Sequence, residues 1–482
     1  MINKNFLFPA IAITSVVMFS CIKKEKKENY TQSTPVIAEK GYQTDAAQNY
    51  HNYCAGCHGE KMDMFVDRQW KHGRELKDLV FGIKNGYKDE GMPAFAETFS
   101  DKETEELAQY ILDGIKNVDR YNFDDKPKTN LFESDNFTIK LDTVATGIAV
   151  PWGIAFLSGG ELLVTDRGGK MYRVKDRKNT EVNGVPDVVA EGQGGLLDVV
   201  TDVDYENNSI IYFSYSKGKK VNGKTLATTA VMRAKLNGNK LTDQKIIFEA
   251  NPYAPTRHHY GSRLVLDKGY LYISVGERGN ENQNPQSLDD NQLGKIHRIY
   301  PDGRIPANNP FKDDKGKPTT VYCYGNRNPQ SLAINPSTGE LWETEHGPRG
   351  GDEINIIKPG DNYGWPKVSY GINYNGKVIT DKTTGPGFTD PIHYWIPSIA
   401  PSGMTFVTSD HYKGWKGNLL VGSLRFQYLN LCYLEGNKVV KEEMLLKNIG
   451  RLRDVRQGPD GFIYVAVEDA KGSVFRLRKF TP

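Results

Sequence analysis

The chain has 482 residues, and its 62 lysine and arginine residues nearly balance its 59 aspartate and glutamate residues, for a formal net charge of +3. This balance argues against a nucleic-acid partner. The length predicts two to four domains, and the 48 glycines that separate aromatic and β-branched runs favour a fold that is mostly β-sheet.

The first 21 residues have the pattern of an export signal. Lys4 precedes an apolar stretch at 6–20 that is short for a membrane span, and Cys21 follows it directly. The pattern resembles a bacterial lipoprotein signal, so we expect Cys21 to carry lipid and the mature chain to be membrane-anchored, facing the periplasm of the cell envelope. The alternative is an ordinary secretory signal with an incidental cysteine. Residues 22–40 are polar and predict a flexible tether.

A helical pattern over 41–117 predicts a small all-α domain. The segment DKETEELAQYILDGIKN at 101–117 places apolar residues at helical spacing. Ser100 precedes it and Glu103 follows three residues later, which is the pattern of a capping box. We therefore predict a helix that begins directly after Ser100.

The motif Cys54-Ala55-Gly56-Cys57-His58 lies within this domain and has three interpretations. A zinc site needs two further ligands at suitable spacing, and no second cysteine pair exists. A redox dithiol is expected in a βαβ setting, which this stretch lacks. Haem c attachment needs only two thiols for thioether bonds and the adjacent histidine as an iron ligand. The motif therefore predicts haem c bound through Cys54, Cys57 and His58.

A second iron ligand is expected further along the chain. GMPAF at 91–95 supplies Met92 between a glycine and a proline, on a loop ahead of the last helix. Met62 and Met64 are rival ligands, but they lie too close to the attachment helix to reach the opposite haem face easily. The arrangement resembles the small class I c-type cytochromes, over about 75 residues.

A polar segment at 118–136 predicts a linker, and beyond it the apolar pattern changes to period 2. Each repeated unit has an apolar strand, a turn rich in Gly, Asp or Asn, a second strand and a polar loop. Six units recur, at 152–174, 196–216, 262–279, 330–347, 403–434 and 453–478. Repeats of this kind predict a six-bladed β-propeller over 137–482, with 137–148 helping to close the ring.

Several polar residues stand on loops next to these strands. Gln193 lies among three glycines that would let the backbone approach a ligand, with a tight turn as the alternative interpretation. His259 in RHHYGSRL is a candidate proton acceptor, although such a pair of histidines is often structural. Arg327 and Asn328 precede a strand, where an arginine suits a developing negative charge or an interblade ion pair.

Two further loops carry charge. The stretch EHGPRGGDEIN at 345–355 combines carboxylates with a Gly-Pro turn, which is typical of calcium ligands or of an acidic surface loop. Arg451 and Arg453 share one face of a strand, because alternate strand residues point the same way. Two guanidinium groups on one face suit a polycarboxylate ligand or a solvated edge.

Taken in order, these loops resemble those of the soluble quinoprotein glucose dehydrogenases and the related aldose sugar dehydrogenases, over 138–480. Those proteins are six-bladed propellers that bind pyrroloquinoline quinone (PQQ) and calcium. The motifs that carry the resemblance are GQGGLLDVV, HHYGSRL, GNRNPQSLA, the run from HGP through DEIN to NYGWP, and GRLRDV.

The resemblance implies a role for each matching residue. His259 is expected to be the general base, and Arg327 to polarise the quinone oxygen. The residues expected to contact PQQ are Gln193, Arg327, Asn328, Arg425, Arg451 and Arg453. Those expected to hold calcium are Gly347 and Pro348 at the cofactor, and Glu353 and Tyr363, with Asp352 nearby, at a second site. Arg425 stands where many members have lysine, which puts its contact with a cofactor carboxylate or the substrate preference in doubt. The loop at Ser398 lines the pocket in the family.

The resemblance also implies an activity. The expected enzyme oxidises an aldose or related aldehyde to a lactone or acid with PQQ, and passes the electrons to its own haem c and then to a downstream acceptor such as a cytochrome or respiratory chain. A calcium-dependent propeller lactonase or hydrolase, or a propeller that only binds a ligand, would be the alternatives. Cys323 and Cys432 either pair or remain free thiols.

Overall fold

The computed structural model describes residues 45–58, 71–116, 127–374, 378–396 and 398–481. Cys21, Met62 and Met64 lie outside the described residues, as do residues 118–126 of the predicted linker. Residues 41–482 belong to a single compact unit. Among the described residues, no helix combines the length and the apolar character needed to cross a membrane.

Short helices form the N-terminal part, as the sequence predicts. They are α1 (Asp45–Asn49), a π-helical turn (Tyr50–Cys54), α2 (Ala55–His58), α3 (Leu76–Asn85), a 3₁₀ turn (Lys88–Glu90) and α4 (Asp101–Lys116). The predicted capping box is confirmed at α4, where the Ser100 main-chain N–H donates to the Glu103 carboxylate at 2.8 Å and the Glu103 N–H donates to Ser100 Oγ at 3.3 Å. Tyr50, Leu79, Ile83, Phe95, Phe99, Leu107 and Ile111 form the core of these helices.

Six antiparallel sheets make up the rest of the chain, and they confirm the predicted six-bladed propeller. Blade one comprises β3 (Pro151–Phe156), β4 (Leu162–Asp166), β5 (Lys170–Lys175) and β6 (Lys178–Glu181). Blade two comprises β7 (Leu196–Thr201), β8 (Ile210–Val221), β9 (Lys224–Asn237) and β10 (Lys240–Glu249), with a short helix α5 (Tyr205–Asn208) between β7 and β8.

The next three blades repeat this order. Blade three comprises β11 (Leu264–Asp267), β12 (Tyr270–Val275), β13 (Lys295–Ile299) and β14 (Val321–Tyr324). Blade four comprises β15 (Pro329–Ile334), β16 (Leu341–Glu345), β17 (Asp352–Ile357) and β18 (His393–Trp395). Blade five comprises β19 (Pro401–Phe406), β20 (Leu419–Ser423), β21 (Leu429–Glu435) and β22 (Lys438–Leu445).

The sixth blade joins the two ends of the propeller. It comprises β23 (Arg451–Gln457), β24 (Ile463–Glu468) and β25 (Ser473–Lys479), completed by β2 (Thr138–Thr146) and β1 (Leu131–Glu133). Strand β2 pairs with β25, with Leu141 opposite Leu477, so the predicted closure by 137–148 is confirmed. Strand β1 falls within the segment that the sequence predicts as linker. The first strand of each blade contacts the first strand of the next, and β23 contacts β3, which closes the ring.

A buried ion-pair network links the first strands of blades two, three and six. Arg263 contacts Asp198 at 3.1 Å and Asp454 at 2.9 Å, and Arg456 contacts the same two carboxylates at 2.8 and 3.0 Å. Arg263 also stacks on the Trp152 ring at 4.4 Å. Breaking one member of such a buried pair typically costs about 3–5 kcal/mol, so the network fixes the relative positions of these blades.

The two remaining cysteines are free thiols in different blades. Cys323 lies in β14 and Cys432 in β21, and both are buried and unpaired by disulfide. Of the two alternatives left open by the sequence, the structure therefore has the unpaired one.

Candidate functional site

One continuous cavity of about 470 Å³ lies between the helical domain and the propeller. Both domains contribute to its wall. Most of the site residues expected from the sequence line it: Cys54, Cys57, His58, Met92, Gln193, His259, Arg327, Gly347, Pro348, Ser398, Arg425, Arg451 and Arg453. The structure thus brings together two sets of residues that the sequence assigns to two separate domains.

His259 is held in this wall by two hydrogen bonds and has an unusual backbone conformation. Its backbone adopts φ 54°, a left-handed conformation that costs energy for a residue with a Cβ and is often found at functional positions. Its main-chain N–H donates a hydrogen bond to Gln193 Oε1 at 2.8 Å, which fixes the orientation of this peptide group. Its Nδ1 forms a short hydrogen bond with the Glu277 carboxylate. Gln193 therefore positions His259, in addition to lining the cavity.

The surroundings keep the His259 imidazole neutral. Burial lowers its pKa well below the usual range, and the charges of Arg327, His346 and Arg278 lower that pKa further. Burial also raises the pKa of the Glu277 carboxyl, but Arg327 and the Asn280 main-chain N–H oppose this and favour the ionised form. When the Glu277 carboxyl is ionised it only accepts hydrogen bonds, so the proton of this bond then lies on Nδ1 and Nε2 keeps a lone pair. The arrangement can therefore accept a proton at Nε2.

Glu277 was not singled out by the sequence analysis. It follows β12 directly, in the GERG turn at 276–279. The one feature of the sequence that indicates Glu277 as a site residue is its position as a carboxylate shortly after a buried strand. Because it lies 18 residues from His259, only the blade geometry shows that the two meet.

Buried arginines form the opposite part of the wall. Arg453 donates to the Glu468 carboxylate at 2.8 Å, and Arg451 Nε lies 3.8 Å from the same group. Arg327 donates through Nη1 to the Gly347 carbonyl at 2.7 Å. The Nε atoms of all three arginines are buried without a hydrogen-bond partner. Unsatisfied cationic donors in a cavity suit an anionic ligand with several oxygen atoms.

Asn328 does not line the cavity but lies directly behind it. Its Oδ1 accepts from the Gly261 N–H at 3.2 Å and from Gln330 Nε2 at 3.1 Å, while its Nδ2 is buried without a partner. These bonds join the His259 loop to β15. The structure therefore gives Asn328 a role in holding the His259 loop, and its predicted cofactor contact stays a prediction.

The Gly347–Pro348 turn presents its two carbonyl groups near Arg327. The Gly347 carbonyl accepts from Arg327, and the Pro348 carbonyl accepts from Ser398 Oγ at 3.1 Å. Each carbonyl oxygen has a second lone pair, so both can still serve a cation. Asp352 fixes the turn by accepting from the Gly347 N–H at 2.8 Å.

Carboxylates gather around a second, much smaller cavity of about 10 Å³, lined in part by Glu345, Glu353 and Tyr363. Glu345 faces Glu353 across the β16–β17 pair. Burial and then mutual repulsion raise the pKa of Glu353, and burial raises that of Glu345 to about 7. Buried carboxyl groups beside an ion-sized space fit a divalent cation, which would keep them ionised.

This second group differs in detail from the expectation. The Tyr363 hydroxyl donates to the Ile356 carbonyl at 2.6 Å and accepts from the Lys358 N–H at 2.9 Å, so a cation would use the Tyr363 main-chain carbonyl. Glu345 belongs to the group, although the sequence analysis did not single it out. Among the described residues, no three His, Cys, Asp or Glu side chains converge as metal ligands. A calcium ion here would therefore need main-chain carbonyl oxygens as well.

The helical side of the cavity has the residues of a haem c site. Cys54, Cys57 and His58 follow from the π-helical turn into α2, and Met92 stands across the cavity on a loop fixed by paired main-chain bonds to Tyr87 at 2.9 and 3.1 Å. Burial, and then Cys57, raise the pKa of the Cys54 thiol to about 12. The apolar lining includes Leu79, Ile83, Phe95 and Ile111. Two thiols, an imidazole and a thioether in an apolar pocket fit haem c.

Three contacts join this side to the propeller. Arg425 donates through Nη2 to the His51 carbonyl at 3.3 Å and through Nη1 to the Ser398 carbonyl at 3.4 Å. The Arg349 guanidinium lies 4.3 Å from the centre of the Tyr53 ring. Gly91, with φ 87°, packs so closely on His258 that an added Cβ would lie 2.8 Å from Nδ1. Arg425 therefore links the domains, which a lysine with one amino group would do less well.

Two parts of the chain each match a known protein family. Residues 148–476 match the protein family described as glucose/sorbosone dehydrogenase. Residues 43–111 match the family described as cytochrome c oxidase, cbb3-type, subunit III, which identifies the helical part as a cytochrome c-type domain.

Individual relatives resemble the propeller. Aldose sugar dehydrogenase YliI of Escherichia coli is 40% identical over 350 residues, which cover 70% of this chain and 93% of the relative. The crystal structure of the apo form of the soluble aldose sugar dehydrogenase from Escherichia coli matches with a TM-score of 0.67 at 39% identity, covering 71% of this chain and 100% of that one. The PQQ-bound aldose sugar dehydrogenase from Streptomyces coelicolor matches with a TM-score of 0.57 at 29% identity, covering 70% and 98%.

Proposed function

Because the chain belongs to the glucose/sorbosone dehydrogenase family, we propose that it oxidises an aldose sugar with PQQ and delivers the electrons to haem c in its own N-terminal domain. The chain combines a sugar-dehydrogenase propeller with a cytochrome c-type domain. The observation that carries the proposal is the single cavity, whose wall contains both the His259–arginine pocket and the Cys-x-x-Cys-His motif.

The pocket fits PQQ, which is a planar quinone with three carboxylates. Arg451 and Arg453 would hold carboxylates, and their unsatisfied Nε atoms are the donors that such a ligand would use. Arg327, which is anchored on the Gly347 carbonyl, would face a quinone oxygen. Gln193 would stand beside the ligand while it fixes the His259 loop. When bound, PQQ supplies two-electron oxidising chemistry, by accepting a hydride from a sugar carbon.

The chain's own residues prepare the sugar for this oxidation. His259 accepts the proton of the anomeric hydroxyl at Nε2, because Nδ1–H is committed to Glu277. Glu277 stabilises the imidazolium that results, as a buried carboxylate beside a cation does. Arg327 places positive charge where negative charge develops. Loss of two electrons and two protons converts a cyclic aldose to its lactone, or an open aldehyde with water to the acid.

The helical domain would receive the electrons one at a time. Cys54 and Cys57 would hold haem c by thioether bonds, with His58 and Met92 as the iron ligands. A downstream one-electron acceptor would then reoxidise the haem. Cys21, outside the described residues, would carry a lipid that anchors the protein to a membrane of the cell envelope, on the periplasmic side.

Haem absorbance during a single turnover tests the proposed electron path. The protein is loaded with PQQ and ferric haem and mixed with aldose in a stopped-flow instrument. Its haem should become ferrous within one catalytic cycle. Haem that stays ferric while an artificial dye is reduced would contradict the internal path. Failure to reduce either haem or dye would contradict the dehydrogenase proposal and favour the lactonase alternative.

Calcium is proposed at two places, at the Gly347–Pro348 carbonyls and beside Glu345 and Glu353. An ion that binds only the folded state, and is present at a free concentration of about 100 times its Kd, adds about 2.7 kcal/mol to the free energy of unfolding. Removal of calcium with EGTA should therefore lower the Tm by about 4 °C, and calcium, but not magnesium, should restore it.

Two variants show whether Glu353 accounts for the effect. The Glu353→Gln protein should lose much of the response to EGTA, because the cation loses a charged ligand. The Glu340→Gln protein is the matched control, since Glu340 lies at the blade-four surface and bonds Thr338. An unchanged Tm of the native protein in EGTA would contradict the calcium proposal.

A further inference from the structure

Tyr374 stands where the two halves of the cavity meet. It lines the cavity together with Cys57 of the helical domain and Arg327 of the propeller. Although it belongs to the propeller by sequence, its side chain packs against the hydrophobic core of the helical domain, as Tyr53 and Met92 do. Tyr374 is therefore a propeller residue whose side chain is part of the wall of the proposed haem pocket.

The backbone of this segment is fixed to the Gly347–Pro348 turn. Ile372 and Arg349 exchange two main-chain hydrogen bonds, at 2.9 and 3.0 Å. Gly371 packs on the same turn so closely that an added Cβ would lie 2.3 Å from the Gly350 carbonyl oxygen. Because Tyr374 follows two residues after Ile372, its position is tied to the turn that flanks the proposed cofactor.

The immediate neighbours of the phenol ring come from both domains. Burial raises the pKa of Tyr374 to about 12, the nearby Cys57 thiol adds to that rise, and Arg327 opposes it. The phenol is therefore neutral at physiological pH. Cys57 in turn lies in the field of Arg327, Arg451 and Arg425. Cys57, which would bear a haem thioether, thus lines the same cavity as Arg327 and Arg451, two of the arginines that would contact PQQ.

We propose that the Tyr374 ring is the contact through which electrons pass from the PQQ pocket to the haem at Cys57. The inference rests on the proposed function, and it assigns the internal transfer to one side chain. Oxidation of one aldose yields two electrons and two protons. When bound, ferric haem would accept these electrons one at a time and pass each to a one-electron acceptor such as ferricyanide, while the protons pass to solvent.

The domain contacts support this assignment because they keep the gap short. The Arg349 guanidinium lies 4.3 Å from the centre of the Tyr53 ring, and Arg425 donates to the His51 carbonyl at 3.3 Å. Both contacts attach the segment directly before Cys54 to the propeller. Tunnelling slows steeply when packed atoms are replaced by a gap, so a filled ring between the two groups matters for rate.

Single-turnover haem reduction by aldose, divided by the dye-linked rate of the same protein, tests the proposal. For Tyr374→Leu this ratio should fall at least about tenfold, whereas Tyr374→Phe, which keeps the ring, should stay within about twofold of the native ratio. Tyr370→Leu is the matched control. Tyr370 lies in the same loop and stacks on Tyr394 at 3.9 Å, away from the cavity wall, so its ratio should be native.

A second measurement separates electron transfer from damage to the haem site. Ascorbate should reduce the haem of the PQQ-free proteins at the same rate in native, Tyr374→Leu and Tyr374→Phe forms. A slower ascorbate reaction in Tyr374→Leu, or an unchanged ratio in that variant, overturns the role of Tyr374. An equal fall in Tyr374→Phe and Tyr374→Leu overturns the assignment to the ring. Native protein that reduces dye but never its haem overturns the internal path itself.

Discussion

The His259→Ala protein is expected to oxidise aldose about 10²–10⁴-fold more slowly than the native protein, because a positioned general base contributes a factor of this size. The loss should appear in kcat with a dye acceptor. PQQ binding should persist, since Arg451, Arg453 and Arg327 remain in place. A titration of apo-protein with PQQ, followed by the visible spectrum, measures this. Undiminished turnover would remove His259 from the base role.

Two further variants serve as a control and as a graded test of the role of His259. His411→Ala is the control, because His411 is exposed, stacks on Phe462 at 4.3 Å and does not line the cavity. It should be as active as the native protein. Glu277→Gln keeps an acceptor for Nδ1–H but removes the charge, so we expect an intermediate loss of kcat.

The same residue sets the acid limit of activity. Burial and the neighbouring cationic groups lower the pKa of His259 below the ordinary value of about 6.5. The base is neutral and active above its pKa and loses its lone pair as the pH falls through it. The acid limb of kcat/KM should therefore lie below about pH 6.5. A limb above that value would contradict the pKa direction.

Replacement of Arg453 by methionine should weaken PQQ binding at least about 30-fold, because truncation of one partner of a buried charge pair costs about 2–5 kcal/mol. The Kd is measured by calorimetry on the calcium-loaded, PQQ-free protein. Arg304→Met is the control, since Arg304 is exposed and pairs with Asp302.

Part of that loss comes from Glu468, which bonds Arg453 at 2.8 Å. Without the arginine its carboxylate would repel the cofactor's own negative charge. The Arg453→Met/Glu468→Gln protein should therefore bind PQQ more tightly than Arg453→Met alone. Native affinity in Arg453→Met would contradict the placement of a cofactor carboxylate at this arginine.

The propeller is predictable from the sequence because its signals are local. Period-2 strands separated by Gly, Asp or Asn turns recur at each blade, and the surplus strand before the first unit predicts the closure that β2 makes with β25. Many site residues were predictable because each family motif occupies a single loop. Arg327, Gly347 and Arg451, predicted in this way, line one cavity.

The relation between the two domains was not predictable in the same way. Arg425 and His51 are 374 positions apart, and nothing in either segment indicates the other. Tyr374 carries no motif, and its place beside Cys57 depends on how one domain packs on the other. The role of Glu277 was not predictable from its own segment, because its partner His259 lies in a different loop. These features arise from tertiary packing, which neither periodicity nor spacing encodes.

The pairing of β2 with β25 has a consequence for how the chain is made. Strand β2 leaves the ribosome early, directly after the helical domain, but its partner β25 is among the last segments to be synthesised. Until then β2 presents an unpaired edge, and long-range pairing of this kind is slow and exposed to aggregation. A chain that is cut short before Ser473 therefore lacks the strand that pairs with β2 and leaves the ring open.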